Sequence, residues 1–298
     1  MDDEIGRSAS LQASGWRSAR RTSGKISSII DINPGHRHRN ATLPPPLKWA
    51  GGKRWQLPYL RPIWARHANR RLVEPFCGGL AVSLGLLPRR ALLNDINTRL
   101  INFYRWLKRG LLVDIELRHD RRVFYMQRAR FNALLQDGDD RSREAASLFY
   151  YLNRTCYNGL CRFNSRGAFN VPFGKYKRIS YIRDFTPYRP VLRGWAFTST
   201  DFAAIHLERD DFVYADPPYD VEFTRYSREG FSWEDQVRTA RWLATHAGPV
   251  ILVNQSTDRV CQLYAELGFR LEFLRAPRRI SCTGDRKPAS EVVALRNL

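Results

Sequence analysis

The chain predicts an α/β fold built on a parallel sheet, and three observations carry that expectation. Arg71-Leu72-Val73-Glu74-Pro75-Phe76 reads as a short strand running into Cys77-Gly78-Gly79. A helical stretch follows to Leu87, and Ala91-Leu92-Leu93-Asn94-Asp95 is a second strand that ends on an acid. A strand, glycine turn, helix, strand succession is the unit from which parallel sheets are made. Phe212-Val213-Tyr214-Ala215 is a continuous apolar run, as a strand covered on both faces requires.

The remaining elements follow in order. Residues 1–42 are rich in Ser and Arg with little periodicity, and Pro44-Pro45-Pro46 comes just after. We read them as a disordered basic tail. Residues 99–150 are mainly helical, with apolar positions at helical spacing in Leu100-Ile101-Phe103-Tyr104-Leu107 and again in Ala145-Ala146-Leu148-Phe149-Tyr150. A Gly- and Asn-rich basic stretch covers 153–178. The sheet resumes with Trp195–Thr198, the strand before Asp216, and Pro249–Val253. A helix around Thr257–Leu267 leads to a final strand pair, Phe269–Leu274 and Glu291–Leu295.

The 298 residues suffice for one large α/β domain with an insertion, or for two domains. Formal net charge is +20, from seven Lys and 42 Arg against 29 acids. The tail contributes little of it, so the body stays strongly basic, which favours a nucleic-acid partner over an acidic membrane surface. No apolar run reaches membrane-spanning length and no signal-peptide pattern opens the chain, so the expected setting is cytoplasmic. Cys77, Cys156, Cys161, Cys261 and Cys282 are scattered and odd in number, without metal-ligand spacing. Free thiols in a reducing compartment and no metal site are expected.

Asp216-Pro217-Pro218-Tyr219 stands where a buried strand ends, the place where open α/β sheets bind ligands. Two prolines fix the backbone and remove two amide donors, leaving carbonyls to accept from something else. A carboxylate, a carbonyl and an aromatic face there suit a planar base with an exocyclic amino group. A plain Pro-rich strand exit with a turn Asp is the competing reading. Gly78 and Gly79 allow close backbone approach to a ligand, and Asp95, about 20 residues on, can accept from two ribose hydroxyls. Without a third glycine or a Gly-Lys-Ser/Thr string, a nucleoside lacking phosphates fits better, and S-adenosylmethionine is the common one. In Leu47-Lys48-Trp49-Ala50-Gly51-Gly52-Lys53, Lys53 can pair with a ligand carboxylate and Trp49 can lie near a sulfonium.

Lys-Trp-Ala-Gly-Gly-Lys, Glu-Pro-Phe-x-Gly, Asn-Asp-Ile-Asn and Asp-Pro-Pro-Tyr, in this order, resemble the Dam-type DNA adenine-N6 methyltransferases (D12 class) from about Leu47 to Leu295. The stretches Asn153–Asn164 and Phe169–Gly174 look like that family's DNA-reading hairpin. The resemblance implies a Rossmann-like, S-adenosylmethionine-dependent methyltransferase core at 43–100 and 195–298, with a helical DNA-recognition insertion at 101–194 and the hairpin at 153–178. Cofactor contacts would fall at Trp49, Lys53, Asp95 and Asp216. Asp216, Pro217 and Tyr219 would be catalytic. Tyr157 and Asn158 would insert near a flipped base, Leu160 and Pro172 would touch bases apolarly, and Arg162 would face guanine in a GATC site. The implied enzyme is bacterial or phage-encoded and acts on double-stranded DNA, and a restriction-enzyme partner is compatible with the sequence but not indicated by it. Cytosine-N4 methylation, a DNA-binding homologue without catalysis and an RNA methyltransferase, the last disfavoured by the hairpin resemblance, remain the alternatives. Leu80 stands where the family carries glycine, and its side chain is expected to crowd the methionine end of the cofactor. The segment after Asp-Pro-Pro-Tyr is short before Phe223-Thr224, so the loop over the base is expected to differ.

Residues 151–180 hold Arg154, Arg162, Arg166, Lys175, Lys177 and Arg178 with no acid, interleaved with Tyr151, Tyr157, Phe163, Phe169, Phe173 and Tyr176. Cations there can hold phosphates while the aromatics wedge or stack on bases. Arg275, Arg278, Arg279, Arg286 and Lys287 form a second basic group that suits either phosphate contact or a solvated surface.

Overall fold

The computed structural model describes residues 43–220, 231–276 and 289–298. The basic tail, the Phe223-Thr224 segment, Cys282 and all of the second basic group except Arg275 lie outside the described residues. In chain order come α1 (Leu57–Ala65), β1 (Leu72–Glu74), α2 (Ser83–Leu86), β2 (Ala91–Asn94), α3 (Thr98–Arg109), α4 (Arg121–Gln136), α5 (Arg143–Thr155) and α6 (Arg189–Leu192). Then follow β3 (Trp195–Thr198), β4 (Phe212–Ala215), α7 (Trp233–Ala244), β5 (Val250–Gln255), α8 (Asp258–Glu266), β6 (Arg270–Ala276) and β7 (Ala289–Arg296).

The strands form one seven-stranded sheet in the order β3-β2-β1-β4-β5-β7-β6. The first five pair in parallel, and β7 runs antiparallel to both of its neighbours. This mixed α/β sheet is that of a Rossmann-like methyltransferase fold. Chain order reverses at β1, which pairs with β2 on one side and β4 on the other. A crevice opens at such a reversal beyond the carboxyl ends of the strands, and both the Glu-Pro-Phe and Asp-Pro-Pro-Tyr segments begin there.

Each face of the sheet packs its own apolar cluster. One gathers Phe103, Tyr104 and Leu107 of α3 with Leu148, Phe149 and Tyr150 of α5, and the other gathers Ala240 and Leu243 of α7 with Val260 and Tyr264 of α8. The helices are set by local signals. Asn97 caps α3 by accepting from the amides of Arg99 and Leu100, and Gly110 closes it at φ +81°. Helices α4 and α5 start at Asp120 and Ser142 in the same way. Strand β3 is an edge, and Lys108 Nζ and Arg105 donate to its Trp195 and Phe197 carbonyls at 2.6 and 3.0 Å. These cations blunt an edge that would otherwise accept another strand. Among the described residues no helix is long and apolar enough to cross a membrane, and no three or more His, Cys, Asp or Glu side chains are grouped so as to hold a metal ion.

Candidate active site

Strand β4 delivers Asp216 to the crevice, and the residue it meets lies far away in sequence. Lys53 Nζ stands 3.0 Å from Asp216 Oδ2, donates to the Gly51 carbonyl at 2.7 Å, and lies 4.6 Å from the Tyr219 ring centroid. Lys53 is only 4% exposed, so its charge must be compensated where it sits. Burial raises the Asp216 pKa, and the Lys53 ammonium opposes that rise. Asp216 Oδ1 and the Tyr219 hydroxyl are buried and make no well-formed hydrogen bond, although the hydroxyl lies close enough to Asp216 to oppose the rise in its pKa. The Tyr219 hydroxyl lies near Asp216 and Glu291, and burial plus those carboxylates push its own pKa well up.

A second layer holds this motif in place. Gln236 Nε2 donates to the Pro218 carbonyl at 2.7 Å, and Asn254 donates to Gln236 Oε1 at 2.9 Å while accepting from the Asp220 amide at 3.3 Å. The expectation of free carbonyls thus holds for Pro217 among the described residues, whereas the Pro218 carbonyl is engaged. On the other side Tyr214 donates to Gln56 Oε1 and Gln56 donates to Glu291 Oε2, both at 2.8 Å. Glu291 is raised by burial, and Glu74 is pushed to about 8 by burial against a hydrogen bond from the Ser83 hydroxyl. Sequence reasoning misses the parts played by Gln56, Glu74, Gln236, Asn254 and Glu291. A polar residue inside an apolar strand is the available signal for Asn254 and Glu291.

Asp95 emerges from β2 into the same crevice. Its Oδ2 accepts from the Gly78 amide at 3.1 Å and its Oδ1 from the Asn97 amide at 3.0 Å, which fixes the carboxylate and leaves lone pairs on both oxygens. Burial raises its pKa while these two amides work against the rise. Ile96 beside it is 75% exposed, an apolar surface next to a pair of acceptors.

Two expectations about the glycine turn change. The space over Gly78 and Gly79 belongs to Trp49: a Cβ on either would stand 2.7 Å from the Trp49 side chain. The glycines therefore admit the indole as well as any ligand. Leu80 does not project into an open pocket. It takes a left-handed φ of +58° and buries its side chain completely in the core, so a glycine-type backbone is retained there at a conformational cost of about 1–2 kcal/mol, offset by burial.

The loop that follows α5 doubles back on itself over residues 156–173. Cys156 pairs with Phe173 and Phe163 with Phe169, Tyr157 N donates to the Pro172 carbonyl at 2.9 Å, and Asn170 N donates to the Arg162 carbonyl at 3.2 Å. At its tip Asn164 Oδ1 accepts from the amides of Arg166 and Ala168. Tyr157, Asn158, Leu160, Arg162 and Pro172 are all exposed along it. Asn158 sits at φ +52°. Arg162 Nε donates to Asn170 Oδ1 at 2.8 Å, which steadies the guanidinium across the hairpin. The aromatic expectation needs correction. Tyr151 and Phe169 are buried, Phe163 packs on Phe169, and Phe173 stacks on His119 with centroids 4.5 Å apart. Most of these rings build the insertion's core, because a hairpin with one buried face must bury its apolar half, and only Tyr157 among them is largely exposed, at 53%.

A sheet that reverses at β1, with carboxylates at the ends of β2 and β4 and a basic, partly exposed loop after α5, is the arrangement of an α/β enzyme with a ligand crevice at the strand ends. Residues 49–275 match the family model of the D12 class N6 adenine-specific DNA methyltransferases. The chain belongs to that family of enzymes, whose reaction is methylation of adenine N6 in DNA. It is 37% identical over 80% of its length to a DNA N-6-adenine-methyltransferase of Escherichia phage P1, covering 33% of that longer protein. It is 34% identical to the retron Ec67 DNA adenine methylase of Escherichia coli, over 84% of this chain and 90% of the relative. A DNA adenine methylase of Salmonella typhi is 37% identical over 84% of this chain and 94% of its own.

Proposed function

We propose that the chain transfers the methyl group of S-adenosylmethionine to N6 of an adenine in duplex DNA, with GATC as the target sequence. The observation that carries this reading is Asp216, whose Oδ2 is held by Lys53 while Oδ1 is buried without a well-formed hydrogen bond. A buried carboxylate oxygen without a donor is costly, and an exocyclic amino group supplies the missing donor. The cofactor supplies an electrophilic methyl group and leaves as a neutral thioether. Asp95 would accept from its ribose hydroxyls, and Trp49, Lys53 and Asp216 would make its other contacts. Asp216 and the Pro217 carbonyl would accept from the adenine amino group and draw its lone pair out of conjugation, and the proton that N6 sheds after methylation would leave by way of Asp216 to solvent. Tyr219 offers its ring to the flipped base. The Lys53 ammonium favours the ionised form of Asp216 and opposes the burial that favours the neutral acid. Positioning and fixed charge thereby lower the barrier, without a covalent intermediate on the protein.

In this reading residues 43–100 and 195–298 are the catalytic core and 101–194 the recognition insertion. Tyr157, Asn158, Leu160, Arg162 and Pro172 would read the duplex. The test uses methyl-labelled cofactor, GATC duplex and mass analysis of the nucleosides. Methyl-N6-adenine from wild type, and none from Asp216→Ala with duplex binding retained, is the expected result. Label in N4-methylcytosine, or near wild-type turnover in the variant, would overturn it.

A further inference from the structure

Asn153 joins two parts of the molecule that base reading and methyl transfer must keep in register. It occupies the last turn of α5, is 2% exposed, and uses its amide in both directions. Oδ1 accepts from the Lys48 amide at 2.8 Å, and Nδ2 donates to the Lys48 carbonyl at 2.8 Å and to the Gly159 carbonyl at 3.1 Å. The first two bonds grip both main-chain groups of Lys48, as a neighbouring strand would. Lys48 directly precedes Trp49 in the loop that ends at Lys53. The third bond grips the 157–159 turn, which carries Tyr157 and Asn158.

The two loops touch tightly where Asn153 joins them. A Cβ on Gly159 would stand 2.4 Å from Lys48 Cβ, and Gly159 itself lies at φ +65°. Lys48 Nζ donates to the Arg154 carbonyl at 3.0 Å and lies 3.4 Å from the Tyr176 ring centroid. An asparagine that only finished its own helix would not need two partners on a segment 105 residues away.

We propose that Asn153 is a positioning residue for sequence recognition. It fixes the reading turn against the loop bearing Trp49 and Lys53, so the correct base sequence and the aligned methyl group share one geometry. The proposal rests on the reading of the chain as a DNA adenine methyltransferase. Asn153→Asp keeps the side-chain shape and the acceptor for Lys48 N but loses both Nδ2 donors. Gly159→Ala perturbs the same junction from the other side without touching the buried amide.

The measurement is kcat/KM on a GATC duplex relative to single-base variants, alongside binding to random duplex. The ratio does not depend on how much enzyme is folded, so a purely structural role leaves it unchanged. Asn153→Asp is expected to lose about tenfold in discrimination, the scale of one lost buried hydrogen bond, and Gly159→Ala, whose Cβ would push on Lys48, to lose discrimination in the same direction, with random-duplex binding preserved. Wild-type ratios in both variants would overturn the proposal, and if Asn153→Asp does not fold, Gly159→Ala alone decides. A wild type that methylates no adenine would instead remove the underlying functional reading, and one that methylates every duplex alike would remove any reading role for Asn153.

Discussion

Glu74 ends β1 with its carboxyl fully enclosed, and this makes stability depend on pH in a direction opposite to that of most carboxylates. Burial pushes its pKa from 4.5 to about 8. The native protein therefore holds a proton that the unfolded chain releases above pH 4.5, and stability falls as pH rises between those values. Each pH unit in that interval is worth about 1.4 kcal/mol, so Glu74 costs roughly 3 kcal/mol at pH 7 and about 5 kcal/mol at pH 8 and above. Glu74→Gln removes the titration and keeps an oxygen for the Ser83 hydroxyl. The variant should match wild type apart from a constant offset near pH 4.5, then gain on it by about 1.4 kcal/mol per pH unit up to pH 8. New amide hydrogens without acceptors would move that offset and leave the slope. Denaturant unfolding of both proteins at half-unit steps from pH 5 to 8 measures the difference. A difference that stays flat with pH would refute the idea, since Glu74 would then ionise in the native state as readily as in the unfolded chain.

Further outcomes follow from the same geometry. Lys53→Met removes the cation beside Asp216, so the Asp216 pKa rises further and the ionised acceptor forms only at higher pH. The acid limb of the pH–rate profile should move upward, and an unmoved limb would detach Lys53 from the Asp216 titration. Asp95→Ala should weaken cofactor binding by roughly 10–150-fold, the loss of a charge-assisted hydrogen bond, with cofactor-free duplex binding unchanged. Calorimetric titration giving wild-type affinity would place the ribose elsewhere. Arg162→Ala should relax choice at one base pair by about 1–3 kcal/mol. Equal losses on every duplex over a salt series, with the salt slope reduced by about one, would make Arg162 a phosphate contact instead.

The sequence by itself determined the strands, their order in the chain and the residues at their carboxyl ends. Continuous apolar runs such as Phe212–Ala215 and helix-spaced ones such as Leu100–Leu107 are local signals, read over a few neighbours. Asp95 and Asp216 stand out for the same reason, each following directly on a strand, whereas the roles expected of Tyr157, Asn158, Leu160, Arg162 and Pro172 come from the family resemblance of one short segment. Only the tertiary structure decided which of them meet. Lys53 pairs with Asp216, Gln236 and Asn254 brace Pro218 and Asp220, Glu291 reaches Gln56 across 235 residues, and Trp49 covers Gly78 and Gly79. It also decided that Leu80 turns into the core in a left-handed conformation, and that Phe163, Phe169 and Phe173 pack inward while Tyr157 does not. Such facts depend on which strands lie side by side and on how much room their side chains leave. A residue's type and its nearest neighbours in the chain carry neither, because burial and pairing are properties of segments brought together from far apart.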